Sequence, residues 1–253
     1  MSSGLLVPAD PAALGDWRTF VSRAQHADAD TAIRLSVTGD VLVLTAAPLH
    51  PGGLGDSMPL VLGMRMLRLA DSAHDGLDAV VEARALLDRF ARLEAEAGGR
   101  AEKDGGAPAG VAVPPVEVSA VWAGIAPPRG PWEPVGSLGA DLLTAAAEAG
   151  IAEVAEGTPA GAGAHAVDAL RRQVWARTAA EVSADPGGAS GAESTPVSAG
   201  AAFGAYVLGF LGGPGGAGGP AGEAQPPRQV RAQVLRCGVW TRLSLPGGHI
   251  LTR

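Results

Sequence analysis

Thr31-Ala32-Ile33-Arg34-Leu35-Ser36-Val37-Thr38-Gly39-Asp40-Val41-Leu42-Val43-Leu44 is the stretch that sets the fold class. Ile33, Leu35 and Val37 alternate with Arg34 and Ser36, the two-residue period of a strand with one buried face. Gly39-Asp40 supplies a tight turn, and Val41 to Leu44 return as a more deeply buried partner. Residues 32–46 are therefore expected to form a hairpin.

Toward the N-terminus, Asp10-Pro11 pairs a good N-cap with a residue suited to the first helical turn. Leu14, Trp17, Phe20 and Val21 then share one helical face, with the helix ending near Gln25. Beyond the hairpin, a Pro/Gly loop over 48–55 leads to expected strands at 60–69 and 77–82. Leu86, Leu87, Phe90 and Leu93 predict a helix over 83–97. Val116, Val118, Ala120 and Trp122 alternate and predict another strand, closed by Pro127-Pro128-Arg129-Gly130-Pro131-Trp132.

Helices are expected over 138–156 and 165–182, with Val167, Leu170, Val174 and Trp175 as the buried stripe of the second, and a short apolar helix over 203–211. The C-terminal segment reads as β again. Val230, Ala232 and Val234 alternate with Arg231 and Gln233, Cys237-Gly238 turns the chain, and 239–245 return before a last apolar pair, Ile250-Leu251. The expected fold is α+β: a mostly antiparallel sheet with strands from both ends of the chain and helices on one face. Residues 1–253 are expected as a single domain with Gly/Pro-rich loops near 98–112, 183–197 and 212–228.

Composition narrows the function classes. The 253 residues are 47% hydrophobic and 18% charged, which rules out a wholly disordered chain. A net charge of -7 argues against a nucleic-acid binder, whose affinity rests on neutralising phosphates. Lys103 is the only lysine among nineteen basic residues and Asn is absent, the bias of a GC-rich genome, so the arginine excess does not itself imply phosphate recognition. Cys237 stands alone, which precludes an intrachain disulfide and a cysteine metal cage. The first sixteen residues lack the basic and apolar regions of a signal peptide. The longest apolar run, 201–213, has 13 residues with four glycines, against roughly 20 for a membrane span. A cytoplasmic protein with no membrane association is expected.

Chemistry-bearing constellations are sparse. Gly161-Ala162-Gly163-Ala164-His165-Ala166 spells a dinucleotide loop, but a helix rather than a strand is expected before it. His74 with Asp71 and Asp75 is the one crowded set of metal-ligand types, and it reads more plainly as a solvated turn. Cys237 and His249 lack a sequence-evident partner. No catalytic residue, cofactor or metal site is assigned. The distinctive feature is charge: from Arg228 to Arg253 there are five arginines and no acid. A solvated hairpin face explains that pattern, as does a basic contact surface.

Four segments together resemble a known family: residues 31–44, the Ile125–Val135 turn, Gly209-Phe210-Leu211-Gly212, and the closing run 238–250. Their order and spacing are similar to a family of uncharacterised actinobacterial proteins. The resemblance implies no activity, cofactor or site residue. The resulting expectation is a protein-interaction or accessory factor without catalysis, binding an unidentified protein through Arg129, Trp132, Arg231, Arg236 and Arg242. The alternatives are an enzyme whose pocket gathers His249, Cys237 or Arg129 from distant positions, and RNA binding by the basic hairpin.

Overall fold

A computed structural model describes residues 4–53, 55–99, 109–158, 163–183, 194–212 and 230–253. The fold is α+β with antiparallel strands, divided into two compact units. The first comprises Met1–Ala46 and Met64–Gly124, the second Ala47–Gly63 and Ile125–Arg253.

The first unit contains β1 (Leu5–Leu6), α1 (Ala13–Ala27) and β2 (Ala32–Thr38). β3 (Val41–Leu49) and β4 (Val61–Arg68) contribute their residues up to Ala46 and from Met64. β5 (Asp78–Glu82), α2 (Ala83–Gly99) and β6 (Val111–Ala112) complete it. β2 and β3 pair antiparallel as the sequence predicts, with Leu35 opposite Leu44 and Val37 opposite Leu42. These side chains alternate onto one buried face because the strand period is two. α1 buries Trp17, Phe20, Val21 and Ala24, one stripe at helical spacing. Trp17 meets Phe90 of α2 edge-on, with ring centroids 5.5 Å apart.

The alternation at 116–122 does not make a strand. Val116 is 70% and Val121 69% exposed, and residues 121–124 form a 3-10 turn. One backbone bond, Val118 N–H to the Val80 carbonyl, runs beside β5. Of the alternating set only Trp122 is buried, and it is held by the 3-10 turn rather than by strand pairing.

The second unit adds β7 (Glu133–Gly139), α3 (Ala140–Glu156), α4 (Ala164–Ala176), β8 (Thr178–Val182), β9 (Thr195–Ser198) and α5 (Ala199–Val207). It ends in β10 (Arg231–Cys237), β11 (Trp240–Leu245) and β12 (Gly248–Thr252). Its strand order is β4-β12-β11-β10-β7, so a segment from early in the chain borders the C-terminal strands, as expected. The expected helix at 165–182 stops at Ala176, and residues 178–182 pair with β9 instead.

Small residues let α5 approach the sheet. A Cβ on Gly204 would stand 2.7 Å from Val61 Cγ1 and 3.5 Å from Ile250 Cδ1. Val234, Leu243 and Ile250 lie in one row across β10, β11 and β12, and each is fully buried. This inner apolar face fixes the outer face, which carries the alternate residues. No helix among the described residues is long and apolar enough to cross a membrane.

Candidate functional site

Strand register defines the outer face of β10–β12. Leu235 stands opposite Arg242 and Arg242 opposite Leu251; Gln233 stands opposite Ser244 and Ser244 opposite His249. Cys237 pairs with Trp240, and Arg231 and Arg253 take the same face by two-residue periodicity. The face therefore sets Arg242 between Leu235 and the buried Leu251, flanked by a Gln233–Ser244–His249 row and a Cys237–Trp240 row, with an arginine toward each end.

Trp132 covers part of it. Gly130 has φ +140°, a conformation favouring glycine, and the prolines around it restrict the remaining backbone. The chain leaves this turn directly into β7, and the Trp132 ring centroid lies 5.7 Å from Arg242 Cζ, within cation–π range. On the other side, Arg242 Nη2 lies 3.1 Å from His249 Nδ1 and 3.0 Å from Nε2. Ser244 Oγ is 3.2 Å from His249 Nδ1. The guanidinium is thus bracketed by an indole and an imidazole, with no carboxylate partner among the described residues.

The electrostatics follow from that geometry. Burial lowers the Arg242 pKa, and its Nε is buried without a hydrogen-bond partner. Burial pushes His249 down to about 4, with the Arg242 charge adding to the effect, so the imidazole is neutral at physiological pH. Ser244 and His249 are the nearest approach to a nucleophile–base pair. A general base works best near the operating pH, and an imidazole this acidic beside a cation accepts a proton poorly. Stacking and charge contacts dominate the arrangement.

The remaining expected residues separate. Arg231 donates from Nε and Nη2 to Ser137 Oγ at 3.0 and 2.8 Å. Arg236 projects to the opposite face from Arg231 and Arg242 and stands across from Glu133. It lines a cleft of about 460 Å³ at the β10–β11 turn with Pro131, Glu133, Cys237 and Gly238. Arg129 is exposed in the turn. Cys237 and His249 are not brought together: their partners on β11 are Trp240 and Ser244, roughly 14 Å apart along an extended strand.

Asp71 and Asp75 serve backbone amides, accepting from Ala73 N at 2.9 Å and Gly39 N at 2.8 Å. No group of three metal-ligating side chains occurs among the described residues. In the 161–166 motif, Gly161 and Ala162 lie outside the described residues; α3 precedes it as a helix.

Sequence reasoning missed Arg253 and Trp240 as neighbours. Arg253 Cζ stands 5.6 Å from the Trp240 ring centroid. Beside them a groove of about 400 Å³ is lined by Pro51, Met58, Leu60, Ile125, Val239 and Arg253. The signal was present, because counting register across the β11–β12 turn places residue 253 opposite residue 240.

These observations define an α+β protein whose second unit ends in an antiparallel meander with a cationic, aromatic outer face. Residues 127–253 match a family model described as Domain of unknown function (DUF8185), which spans half of the chain, and the chain belongs to that family. Residues 1–123 match a second model, Domain of unknown function (DUF8010). No curated protein and no solved structure matches the chain.

Proposed function

We propose that the chain is a protein-interaction or accessory factor, and that the outer face of β10–β12 with the Arg129–Trp132 turn receives an acidic segment of a partner protein. One observation carries the reading. Arg231, Arg242 and Arg253 share a face on which the contacts of the first two are to neutral groups and the third lies over an indole. A carboxylate arriving there gains charge-assisted bonds without displacing a resident acid. The paired Ser244 and His249 support positioning of a ligand oxygen rather than catalysis. Membership of an uncharacterised family and the lysine-poor composition are compatible with a cytoplasmic, actinobacterial setting.

Capture of the tagged protein from its source lysate tests the reading, run with and without nuclease beside an Arg129→Glu/Arg231→Glu variant. A stoichiometric protein that survives nuclease and is lost from the variant is expected. Retention of that protein by the variant overturns the placement, and loss with nuclease moves the reading to RNA.

A further inference from the structure

The groove beside Trp240 has a composition that the arginine face lacks. Pro51, Met58, Leu60, Ile125 and Val239 give it apolar walls, and Arg253 supplies the one charged side chain that lines it among the described residues. Its volume of about 400 Å³ falls within the 300–1,000 Å³ of small-molecule sites, which are mostly apolar with a few polar anchors. Val239, at the tip of the β10–β11 turn, is 76% exposed and is held out against the groove rather than into the core.

We propose that this groove binds a small amphiphilic carboxylate, an aliphatic acid whose chain lies along Met58, Leu60 and Ile125 while its headgroup meets the Arg253 guanidinium.

Three observations favour that ligand. First, Arg253 Cζ stands 5.6 Å from the Trp240 ring centroid, a cation–π contact that does not use its N–H groups and leaves them for a planar anion. Second, Asp56, in the loop between Pro51 and Met58, is already committed. Asp56 accepts from Gly52 N at 2.7 Å and Met58 N at 3.0 Å and pairs with Arg172 at 3.6 Å. These bonds hold its carboxyl below the usual range, so it stays ionised and satisfied in its own loop. Third, the backbone at the groove is spent. β12 borders β11 on one side and β4 on the other, and Arg253 N–H donates to the Leu60 carbonyl at 3.4 Å. A peptide would find no open strand edge to extend, whereas a small ligand needs none.

Calorimetric titration of the full chain with decanoate, held below its micelle concentration, tests the proposal against decanol and acetate. Saturable one-site binding of decanoate is expected, with both controls weaker by about tenfold or more. Arg253→Gln is expected to weaken decanoate by about tenfold, and Met58→Ala by about threefold. The Trp240 indole N–H resonance, assigned with Trp240→Phe, should shift on titration. Absence of saturable decanoate binding overturns the proposal. Equal binding of decanol or undiminished binding by Arg253→Gln removes the charged headgroup site; acetate binding as tightly as decanoate removes the apolar groove.

Discussion

In the first unit four arginines end on carboxylates: Arg18 on Glu94, Arg34 on Asp78 at 2.6 Å, Arg65 on Asp16 at 2.6 Å and Arg68 on Asp40 at 3.3 Å. On the outer face of β10–β12, Arg231 bonds a serine, Arg242 lies between an indole and an imidazole, and Arg253 lies over an indole. Paired arginines also occur in the second unit, Arg172 on Asp56 and Arg177 on Glu153, so the difference lies between ion-paired arginines and those of this one face. Exposed ion pairs within a unit neutralise charge and contribute only modestly to stability. A half-buried guanidinium kept without an anion carries a desolvation cost that its stacking contacts offset only in part, and it stays ready for an anion from outside. The proposed anion-receiving face of the meander rests on that difference.

The largest expected effect asks what holds the arginine face in place. Leu243 is fully buried on the reverse of the strand that carries Arg242, and Leu243→Ala should cost about 2–5 kcal/mol in denaturant unfolding. A loss below about 1 kcal/mol would mean that the face does not rest on this apolar row.

Acid separates the two regions next. The folded His249 pKa is lowered from 6.5 to about 4, so between these values the unfolded chain binds more protons and stability falls as pH drops. The loss should amount to about 1–2 kcal/mol after allowance for partial exposure, and thermal melts should show it flattened in His249→Gln. Asp78 answers in a lower window. Its bond from Arg34 lowers its pKa below 3.8, so its contribution is present above that value and is lost as pH falls through the folded pKa. A transition confined to pH below 4, unchanged in His249→Gln, would erase the contrast.

Smaller effects sharpen the comparison at single arginines. Arg34 also donates from Nη1 to the Ala123 carbonyl at 2.9 Å, so Arg34→Ala should cost about 1 kcal/mol. Arg242→Met removes a cation that has no carboxylate partner among the described residues and keeps a flexible apolar chain against Trp132. Chemical denaturation should show a change within about 0.5 kcal/mol, or a gain. If Arg242→Met were costlier than Arg34→Ala, the meander arginines would be structural.

Much of this architecture was legible from pattern. Glycine turns and two-residue alternation marked β2–β3 and the C-terminal meander, and the stripes on α1 and α2 came from helical spacing. β7 was missed because its residues fell between the expected Pro/Trp turn and the helix expected from 138, and Pro134, Gly136 and Gly139 give it no strand pattern. Pro134 is tolerated at the end of the strand order, and Gly136, at φ +158°, sits at a register shift where a Cβ would approach Val182 Cγ1 to 2.6 Å. β8 was hidden because its alanines continued the composition of α4, and its pairing partner lies beyond the intervening residues 184–193. At the site, the charge excess pointed to Arg231 and Arg242, but Trp132 meets Arg242 only through tertiary folding. The lowered histidine likewise depends on burial, which spacing alone does not report.

The most direct test follows arginine Nε–Hε resonances by NMR while a blocked hexaglutamate peptide is added. The account predicts that Arg231, Arg242 and Arg253 shift together and saturate, while Arg34, bound to Asp78, holds still. Equal small shifts at all of these arginines, or a response led by Arg34, would contradict an anion-receiving face on the meander.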